Sequence, residues 1–589
     1  MSWEAWLTLV VAAATIVALA RDLFSPATAV FGATVLLLVS GVITPEQAFS
    51  GFSNPAPITV AALYVLARSV EKTGALQPIL ASVLEGTGGR RRGLARLLTP
   101  TAGASAFLNN TPIVAILAPQ VADWADRSGR SPSHYLMPIS FAAILGGVIT
   151  LIGTSTNLVV SGLLQASGQA PIGMFELTRV GLPVAVVGLA LVIVMAPLVL
   201  PARRAARRDL EEEAREFVVD MELVAGGPLD GRTVAGGGLR HLQGVFLVAV
   251  ERDGDLIAPV SPETVLHGGD RLRFVGRSDL VVDLQTARGL VFAERDQLRS
   301  FNTNRATFFE AVVGAASPLI GKTLREAEFR GRYQAAVVAI HRAGQRVSAK
   351  LGDVPLRVGD TLILLADPNF RNRWYDRNDF LLVSRLGGTI RASSRRAVLV
   401  GLITLGIVVL AGAGIIPILQ AALLGAVALL AFGILTPGEA RNAVDLDVVV
   451  LIAASFGLGA AIETSGLADR LGSLLAGAFA ALGPTGLLLG VTLATMALTE
   501  LITNNAAAVL IFPVAMATAA SAGLEPRGFA IAVAIAASAS FLTPIGYQTN
   551  TMVYGPGGYR FGDYARLGFP LTVVVIATTV AVVPIFWPL

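Results

Sequence analysis

The sequence predicts a polytopic α-helical membrane protein of two inverted-topology repeats, with an α+β tandem domain inserted between them. Three observations predict this class. The composition is 54% hydrophobic and only 15% charged, against about 25% charged residues in soluble domains. The apolar character is confined to residues 1–202 and 396–589, whereas residues 203–395 are charged and contain short β-type runs. The two apolar blocks also repeat each other's motifs in the same order.

The repeat consists of five short motifs at a nearly constant offset. A single match would carry little weight, but five in the same order indicate a duplication. The pairs, first half before second, are Ile43-Thr44-Pro45 with Leu435-Thr436-Pro437, Glu71-Lys72-Thr73-Gly74 with Glu463-Thr464-Ser465-Gly466, Asn109-Asn110-Thr111 with Thr503-Asn504-Asn505, Ile152–Asn157 with Ile545–Asn550, and Arg179–Pro183 with Arg566–Pro570.

Five membrane crossings are predicted in each half, since a span needs about 20 apolar residues. They lie near residues 4–20, 26–43, 57–73, 135–166 and 179–200, and near 397–412, 415–434, 445–463, 528–556 and 567–588. Two further apolar segments, 97–122 and 484–520, are interrupted by polar pairs, and we expect them to be re-entrant hairpins.

Arginines set the predicted orientation. They flank the middle block at Arg203, Arg204, Arg207, Arg208, Arg391, Arg395 and Arg396. Such clusters are typical of the cytoplasmic side, so the middle block is expected in the cytoplasm and both termini on the outer face. Halves of opposite orientation are found in many secondary transporters. An ordinary helical bundle with accidental similarity is the alternative.

Each predicted hairpin carries a pair of asparagines, Asn109-Asn110 and Asn504-Asn505. Amides in an apolar run are costly unless they find partners or line a cavity. Ser105 and Thr499 each lie four residues before a tip and place a hydroxyl on the same helical face.

Two glycine-containing segments, Gly153–Asn157 and Gly546–Asn550, are expected to break the spans that follow the hairpins. One oxygen-rich cation cage in each half, with an anion site between them, is the predicted arrangement. Interhelical hydrogen bonding is the alternative role for the asparagines.

Composition also excludes several chemistries. The chain has no cysteine, and its four histidines are scattered. No nucleophile–base pair or metal-ligand cluster other than the sodium cages is visible, so an enzyme is not predicted, and the small net charge of +4 gives no indication of nucleic-acid binding. Glu500 precedes the second tip. Two interpretations of Glu500 are open. One is proton coupling or contact with a cation, and the other is a position near the outer mouth without such a role.

At this point the sequence resembles the divalent anion:sodium symporter family of the ion transporter superfamily. The tips read LNNTPIVAILAP and ITNNAAAVLIFP, and the loops read IGTSTN and TPIGYQTN. The resemblance implies Na⁺ as the coupling ion, a homodimer, and an elevator motion of hairpins and broken helices against a scaffold. It implies one sodium site from Ser105, Asn109, Asn110, Gly153 and Asn157, a second from Thr499, Thr503, Asn504, Gly546 and Asn550, and anion contacts from Asn110, Thr111, Asn504 and Asn505.

The tips depart from the family pattern. Asn109 stands where the family has serine, and Asn505 stands where dicarboxylate transporters have threonine. A hydroxyl for a carboxylate is therefore missing, which favours an inorganic divalent anion such as sulfate over a dicarboxylate. A proton- or sodium-linked exporter of an oxyanion such as arsenite is the second hypothesis, and a ligand-gated channel the third.

The middle block is itself duplicated, with domains predicted at 203–300 and 301–395. Gly231-Arg232-Thr233 matches Gly321-Lys322-Thr323, and Gly269-Asp270 matches Gly359-Asp360, both at an offset of 90. Each copy resembles a TrkA C-terminal domain. The resemblance implies regulatory domains that dimerise and bind a small ligand such as a nucleotide. A dimerisation or stability module is equally open. A bacterial inner-membrane location follows from the whole.

Overall fold

A computed structural model describes residues 2–21, 23–75, 90–203, 218–239, 245–252, 255–276, 290–292, 307–314, 317–342, 345–347, 351–367, 370–374, 379–385 and 394–589. The chain divides into two compact units. The helical unit comprises Met1–Ala202, Thr389–Tyr554 and Tyr559–Leu589, and the second unit comprises Arg203–Gly388 and Gly555–Gly558. The predicted flanking residues Arg204, Arg207, Arg208 and Arg391, and the predicted boundary at 300/301, lie outside the described residues.

The first four helices of the helical unit begin at capping residues. The Ser25, Thr44 and Asn54 side chains accept hydrogen bonds from the first turns that follow them, and proline occupies the first helical position in each case, which suits the start of a helix. The helices are α1 (Trp3–Ala20), α2 (Pro26–Val39), α3 (Pro45–Phe49), α4 (Pro55–Thr73), α5 (Arg90–Ser105), α6 (Asn110–Arg127), α7 (Leu136–Gly147), α8 (Ser155–Ala166) and α9 (Thr178–Val199).

The second half repeats this series after the middle unit. Its Thr436 forms a capping box with Glu439, as Thr44 does with Gln47 in the first half. The helices are α12 (Ser394–Gly412), α13 (Ile418–Ala431), α14 (Pro437–Ala443), α15 (Leu446–Thr464), α16 (Leu467–Phe479), α17 (Gly483–Thr499), α18 (Asn504–Ser521), α19 (Pro526–Ser538), α20 (Gln548–Tyr554) and α21 (Phe561–Phe586).

Seven helical segments within the described residues are long and apolar enough to cross a membrane, which establishes a multi-pass character by length and composition. They are Trp3–Ala20, Thr178–Val199, Arg395–Gly412, Leu446–Thr464, Leu467–Thr499, Asn504–Ser521 and Phe561–Phe586. The spans predicted near 26–43 and 415–434 lie on helices of 14 residues, about 21 Å long at 1.5 Å per residue. Five crossings per half and their orientation stay predictions.

Both interrupted apolar segments fold as helix pairs joined by a short turn. Residues 106–109 separate α5 from α6, and residues 500–503 separate α17 from α18. The first pair is longer than the predicted 97–122, because α5 already begins at Arg90. Whether each helix pair enters and returns on the same side depends on where the bilayer lies. The re-entrant character of the two hairpins therefore stays a prediction.

The breaks in the next helices lie slightly before the segments predicted to contain them. The non-helical residues are 148–154 between α7 and α8, and 539–547 between α19 and α20. Asn157 and Asn550 therefore belong to the first turns of α8 and α20 rather than to unwound backbone. An amide so placed can reach back to the carbonyl groups that the break leaves without helical partners.

One glycine in each half allows a long helix to pack closely against the break. A Cβ added to Gly181 of α9 would lie 2.1 Å from the Val148 carbonyl oxygen, and one added to Gly568 of α21 would lie 2.1 Å from that of Phe541. Only glycine fits such an approach of helix to backbone. The repeated Arg-x-Gly-x-Pro motif thus has the same packing role in both halves.

The second unit contains two antiparallel sheets of five strands with the same order. The first is ordered β3-β2-β4-β1-β5, and the second, read in the same direction, is ordered β8-β7-β9-β6-β10. The helices α10 (Phe329–Tyr333) and α11 (Phe370–Trp374) lie beside the second sheet. The strands are β1 (Val218–Leu223), β2 (Val245–Arg252), β3 (Asp255–Ile257), β4 (Arg271–Gly276), β5 (Leu290–Phe292), β6 (Thr307–Val312), β7 (Ala335–Arg342), β8 (Gln345–Arg346), β9 (Thr361–Ala366) and β10 (Leu382–Arg385).

An arginine–aspartate pair is repeated in the two sheets. Arg252 binds Asp270 through two hydrogen bonds of 2.8 and 2.7 Å, and Arg342 binds Asp360 through two of the same lengths. Each pair joins the last residue of one strand, β2 or β7, to the turn before the neighbouring strand of the sheet, β4 or β9. Bidentate pairs of this kind fix geometry as well as add energy, so the offset of 90 in the sequence corresponds to a repeated structural element.

Candidate functional site

The first tip is organised around Asn110, the first residue of α6, which is fully buried. In the amide orientation that satisfies both of its ends, its nitrogen donates to the Ala143 carbonyl (3.0 Å) and to Ser105 Oγ (2.6 Å), and its oxygen accepts from the Tyr547 hydroxyl (2.6 Å). The neighbouring Asn109 contacts Tyr64 of α4 instead. The two asparagines of this tip therefore face different partners.

Backbone oxygens crowd the same place. An ideal Cβ on Gly153 would lie 2.5 Å from the Gly147 carbonyl oxygen and 2.8 Å from that of Ser105. Gly147 in turn lies against the Asn110 amide. The structure thus brings together Ser105, Asn110 and Gly153 from the predicted first sodium set, with carbonyls that sequence reasoning did not name.

Asn157 and Asn550 hold the two breaks in the same way. Asn157 Nδ2 donates to the carbonyls of Gly147 (3.1 Å) and Thr150 (2.8 Å). The equivalent atom of Asn550, an offset of 393 later, donates to those of Ser540 (3.0 Å) and Thr543 (3.2 Å), at the same offset from Gly147 and Thr150. These amides satisfy carbonyl groups that an unwound segment would otherwise bury without partners.

The tips are bonded to the breaks of the opposite half. Thr111 Oγ1 donates to Gln548 Oε1 at 3.1 Å. Asn505 Oδ1 accepts from Ser155 Oγ and Thr156 Oγ1, each at 3.1 Å. Thr111 and Asn505 are the matched second residues of α6 and α18, and Ser155 and Gln548 are the matched first residues of α8 and α20, directly after the two breaks. The anion-facing prediction for these residues is untested, but their geometry joins both halves at one place.

The second tip is less tightly satisfied than the first. Thr499 Oγ1 donates to the Ala537 carbonyl at 2.6 Å, whereas Thr503 Oγ1 is a buried atom with no hydrogen-bond partner. Asn504, the first residue of α18, interacts with Tyr547. Of the predicted second sodium set, Thr499 therefore has its hydroxyl engaged and Thr503 does not.

Glu500 binds the break of its own half. Its Oε1 accepts from the backbone N–H groups of Phe541 (2.7 Å) and Leu542 (2.9 Å), and its Oε2 accepts from Thr543 Oγ1 (3.1 Å). Its repeat equivalent is Ala106, whose backbone carbonyl accepts from Thr150 Oγ1. A side-chain carboxylate thus stands in the second half where the first half uses a backbone oxygen.

Buried oxygens without hydrogen-bond partners indicate whether the tips and breaks fit a cation. Several buried polar atoms of the described residues have no hydrogen-bond partner, and two of them, Asn157 Oδ1 and Thr503 Oγ1, lie in the turn after the first break and at the second tip. Such groups are rare in native interiors and need an explanation, and neutral oxygens beside a carboxylate suit a hard cation such as Na⁺. The donor set therefore fits the predicted ion.

Sequence reasoning missed Tyr547. Its hydroxyl bonds Asn110 (2.6 Å) and approaches Thr154 Oγ1 at 3.3 Å. The residue lies inside the motif TPIGYQTN, so the signal was a tyrosine at the position matched by Thr154 in IGTSTN. The predicted site contains serine, threonine, asparagine and glycine but no aromatic residue.

Comparison with known proteins identifies the family. The family model described as a citrate transporter matches residues 10–534. The chain belongs to the citrate transporter family. Members of this family are membrane transporters and not enzymes, so the prediction of a multi-pass transporter of an ion-transporter type is confirmed at that level.

Relatives of this citrate transporter family member match nearly its whole length. A candidate sulfur deprivation response regulator of Chlamydomonas reinhardtii is 35% identical over 95% of this chain and 97% of its own. An uncharacterized transporter of Synechocystis is 37% identical over 92% and 91%. Sodium/sulfate cotransporter 1 of Chlamydomonas reinhardtii is 24% identical over 97% and 89%.

Among solved structures, the YdaH transporter of Alcanivorax borkumensis is similar at a TM-score of 0.43 and 12% identity. The similarity covers 99% of this chain and 97% of that one. This score is too low for a shared fold to be inferred from it.

Proposed function

We propose that this transporter carries a divalent inorganic anion, sulfate in preference to a dicarboxylate, by symport with Na⁺. The observation that carries the proposal is the convergence of two hairpin tips and two helix breaks on one polar cluster. The N-terminus of α6 at Asn110 and that of α18 at Asn504 both meet Tyr547, and helix N-termini favour negative charge.

The names of two relatives support sulfate as the anion. One relative is a sodium/sulfate cotransporter and another is named for the response to sulfur deprivation. Sodium, when bound, supplies positive charge beside an anion that has few cationic side chains near it. The residues proposed for it are Ser105, Asn109, Asn110, Gly153 and Asn157 in the first half, and Thr499, Thr503, Asn504, Gly546 and Asn550 in the second.

An elevator motion of hairpins and broken helices as one body is part of the proposal. The hydrogen bonds Thr111–Gln548 and Asn505–Ser155 join each tip to the other half's break. Elements bonded across the halves move together more readily than apart. Alternation of access would then come from displacement of this group against α1, α2, α12 and α13, with inverted orientation of the two halves.

We also propose that the middle unit is a cytoplasmic module of the TrkA C-terminal kind and that the transporter is a homodimer in a bacterial inner membrane. The repeated sheets, each with its own arginine–aspartate pair, support a tandem domain. Regulation and dimerisation are both compatible with it. Cross-linking in native membranes would test the dimer.

Uptake of labelled sulfate into proteoliposomes tests the main proposal. We expect an inward Na⁺ gradient to drive uptake and a proton gradient alone not to. Asn110→Ala removes the hydrogen bonds of a buried amide and should lower uptake about 100-fold, the equivalent of about 2.7 kcal/mol. Asn442→Ala, at an exposed position of α14, is the matched control and should leave uptake unchanged.

Glu500 favours a second candidate, an exchanger or exporter linked to protons. A carboxylate bonded to a helix break is the type of group that proton-coupled transporters use. Sulfate or arsenite flux that follows a proton gradient, is indifferent to Na⁺ and is lost in Glu500→Gln would replace the first proposal with this one.

A further inference from the structure

The Tyr547 hydroxyl is a point at which both tips meet. It donates to Asn110 Oδ1 at 2.6 Å, and Asn504 also interacts with it. Asn110 and Asn504 are the first residues of α6 and α18. The tyrosine side chain is buried, with 6% of its surface exposed. One phenol therefore stands between the N-termini of the two hairpin helices.

Tyr547 also contacts its own repeat equivalent. Thr154 precedes it by 393 residues, the offset that relates Gly153 to Gly546 and Asn157 to Asn550, and its Oγ1 lies 3.3 Å from the Tyr547 hydroxyl. Where two similar halves are related by a two-fold axis, only residues beside that axis touch their equivalents. The cross-bonds Thr111–Gln548 and Asn505–Ser155 join matched positions of the two halves in the same way.

Thr154 and Tyr547, the matched residues that touch each other, differ in size. Threonine brings a hydroxyl on a short stem, whereas tyrosine brings a hydroxyl on an aromatic ring. A hydroxyl donor between two helix N-termini suits an anion with oxygens on every side. The ring fills more buried volume than the threonine side chain does, and buried volume of this kind does not yield readily to a larger ligand.

We propose that Tyr547 sets the size and class of the transported anion. When the anion is bound, the hydroxyl turns from Asn110 Oδ1 and donates to a compact tetrahedral oxyanion, and the ring excludes di- and tricarboxylates. This inference rests on the proposed function, because it takes the anion to bind between the tips. It assigns selectivity to a break residue, whereas the sequence placed it in the differences between the tips at Asn109 and Asn505.

Two variants of the full-length protein separate the hydroxyl from the ring. Tyr547→Phe keeps the ring and loses the donor. Tyr547→Thr installs the residue found at the matched position 154 and loses the ring. Purified protein in Na⁺ would be titrated with sulfate, succinate and citrate, and binding followed as the rise in unfolding temperature, which reports ligand affinity by mass action.

We expect the wild type to respond to sulfate and not to succinate or citrate. Tyr547→Phe should weaken sulfate binding about tenfold, as for one lost hydrogen bond, and keep the exclusion of succinate. Tyr547→Thr should gain succinate binding, so that the ratio of succinate to sulfate affinity rises at least about tenfold. Uptake by proteoliposomes should follow the same ranking.

Tyr559→Phe is the matched control. Its hydroxyl is also buried and makes two hydrogen bonds, to the Ser133 carbonyl (2.5 Å) and from the Met137 N–H (2.8 Å), but it touches neither tip. Its loss should lower the unfolding temperature without altering the ranking of anions. A ranking that changes in Tyr547→Thr alone therefore reports selectivity rather than general damage.

The outcomes distinguish this inference from the proposed function. If wild-type protein binds sulfate and Tyr547→Thr keeps the wild-type ranking, the role of Tyr547 is wrong while sulfate transport stands. If wild-type protein already binds succinate, the ring excludes nothing and the inference is overturned. If wild-type protein binds neither anion and Tyr547→Thr gains succinate, the size filter stands and sulfate as the cargo is wrong. If neither protein binds succinate, the inference fails.

Discussion

The breaks of the two membrane halves share a framework and differ in the side chains placed on it. Asn157 and Asn550 bind equivalent pairs of carbonyls. Around them, Glu500 replaces Ala106, Tyr547 replaces Thr154, and Ser540 replaces Gly147. The backbone of a break imposes the same demand in each copy, so the residue that meets it is the same. Side chains around the break face no such demand and have diverged toward charge, hydroxyl groups and bulk in the second half.

The largest effect should come from removing the shared asparagines. Asn157→Ala and Asn550→Ala each leave two break carbonyls without a donor, and each should abolish transport and cost about 3 kcal/mol of stability. Asn550→Ala should cost about 1 kcal/mol more, because Asn550 Oδ1 also accepts from Ser140 at 2.7 Å. Unfolding temperatures of the two variants, measured side by side, check this; equal losses would show that Ser140 adds nothing.

Next in size is the glycine packing that both halves share. Gly181→Ala and Gly568→Ala place a methyl group 2.1 Å from a carbonyl oxygen, so each should cost about 2–3 kcal/mol, as overpacked sites do. The two losses should be alike. Gly477→Ala in α16 has open space around it and serves as the control. If only one of the two variants loses stability, the helix–break contacts of the two halves are not equivalent.

Glu500→Ala converts the second half to the residue of the first. It leaves the N–H groups of Phe541 and Leu542 without their acceptor, which should cost about 2 kcal/mol. If the carboxylate also contributes to a cation cage, the Na⁺ concentration needed for half-maximal uptake should rise about tenfold. Glu500→Gln, which keeps an acceptor oxygen, should recover most of the stability. Failure of glutamine to do so would mean that charge, and not hydrogen bonding, holds this break.

The smallest effect is expected in the duplicated middle unit. Burial opposes ionisation of Asp270, but the hydrogen bonds from Arg252 and from the His267 N–H outweigh it, and the pKa of Asp270 is lowered. Asp270→Asn should therefore cost about 1 kcal/mol at neutral pH, a figure reduced for the partial exposure of Arg252.

The sign of this effect fixes its pH dependence. A carboxyl group with a lowered pKa stabilises the folded state above its ordinary pKa of about 3.9, and that stabilisation is lost as the pH falls through the lower folded value. The difference between wild type and Asp270→Asn, measured by chemical denaturation, should thus shrink below about pH 4. A constant difference would place the effect in packing rather than charge.

The sequence predicted those features that the backbone imposes. Repeated asparagines, glycines and prolines indicated the hairpins, the breaks and the halves, because interruptions of an apolar run are visible without a structure. The helix Leu467–Phe479 was not predicted; Asp469 and Arg470 interrupt its apolar sequence.

Contacts between residues about 350 or more positions apart were beyond the sequence. Thr111 and Asn505 are predicted to contact the anion, and the sequence did not predict that each also bonds a residue of the opposite half. Which oxygen stays unsatisfied, as Thr503 Oγ1 and Asn157 Oδ1 do, depends on rotamers and neighbours that periodicity and motif spacing do not specify.

The contact between Thr154 and Tyr547 bears on the history of the chain. In a dimer of two identical halves, both sides of such a contact would carry the same residue, and every mutation there would strike twice. A single chain that contains both halves is released from this rule, because each side is encoded separately. A threonine in contact with a tyrosine is therefore an arrangement that a dimer of identical halves could not have.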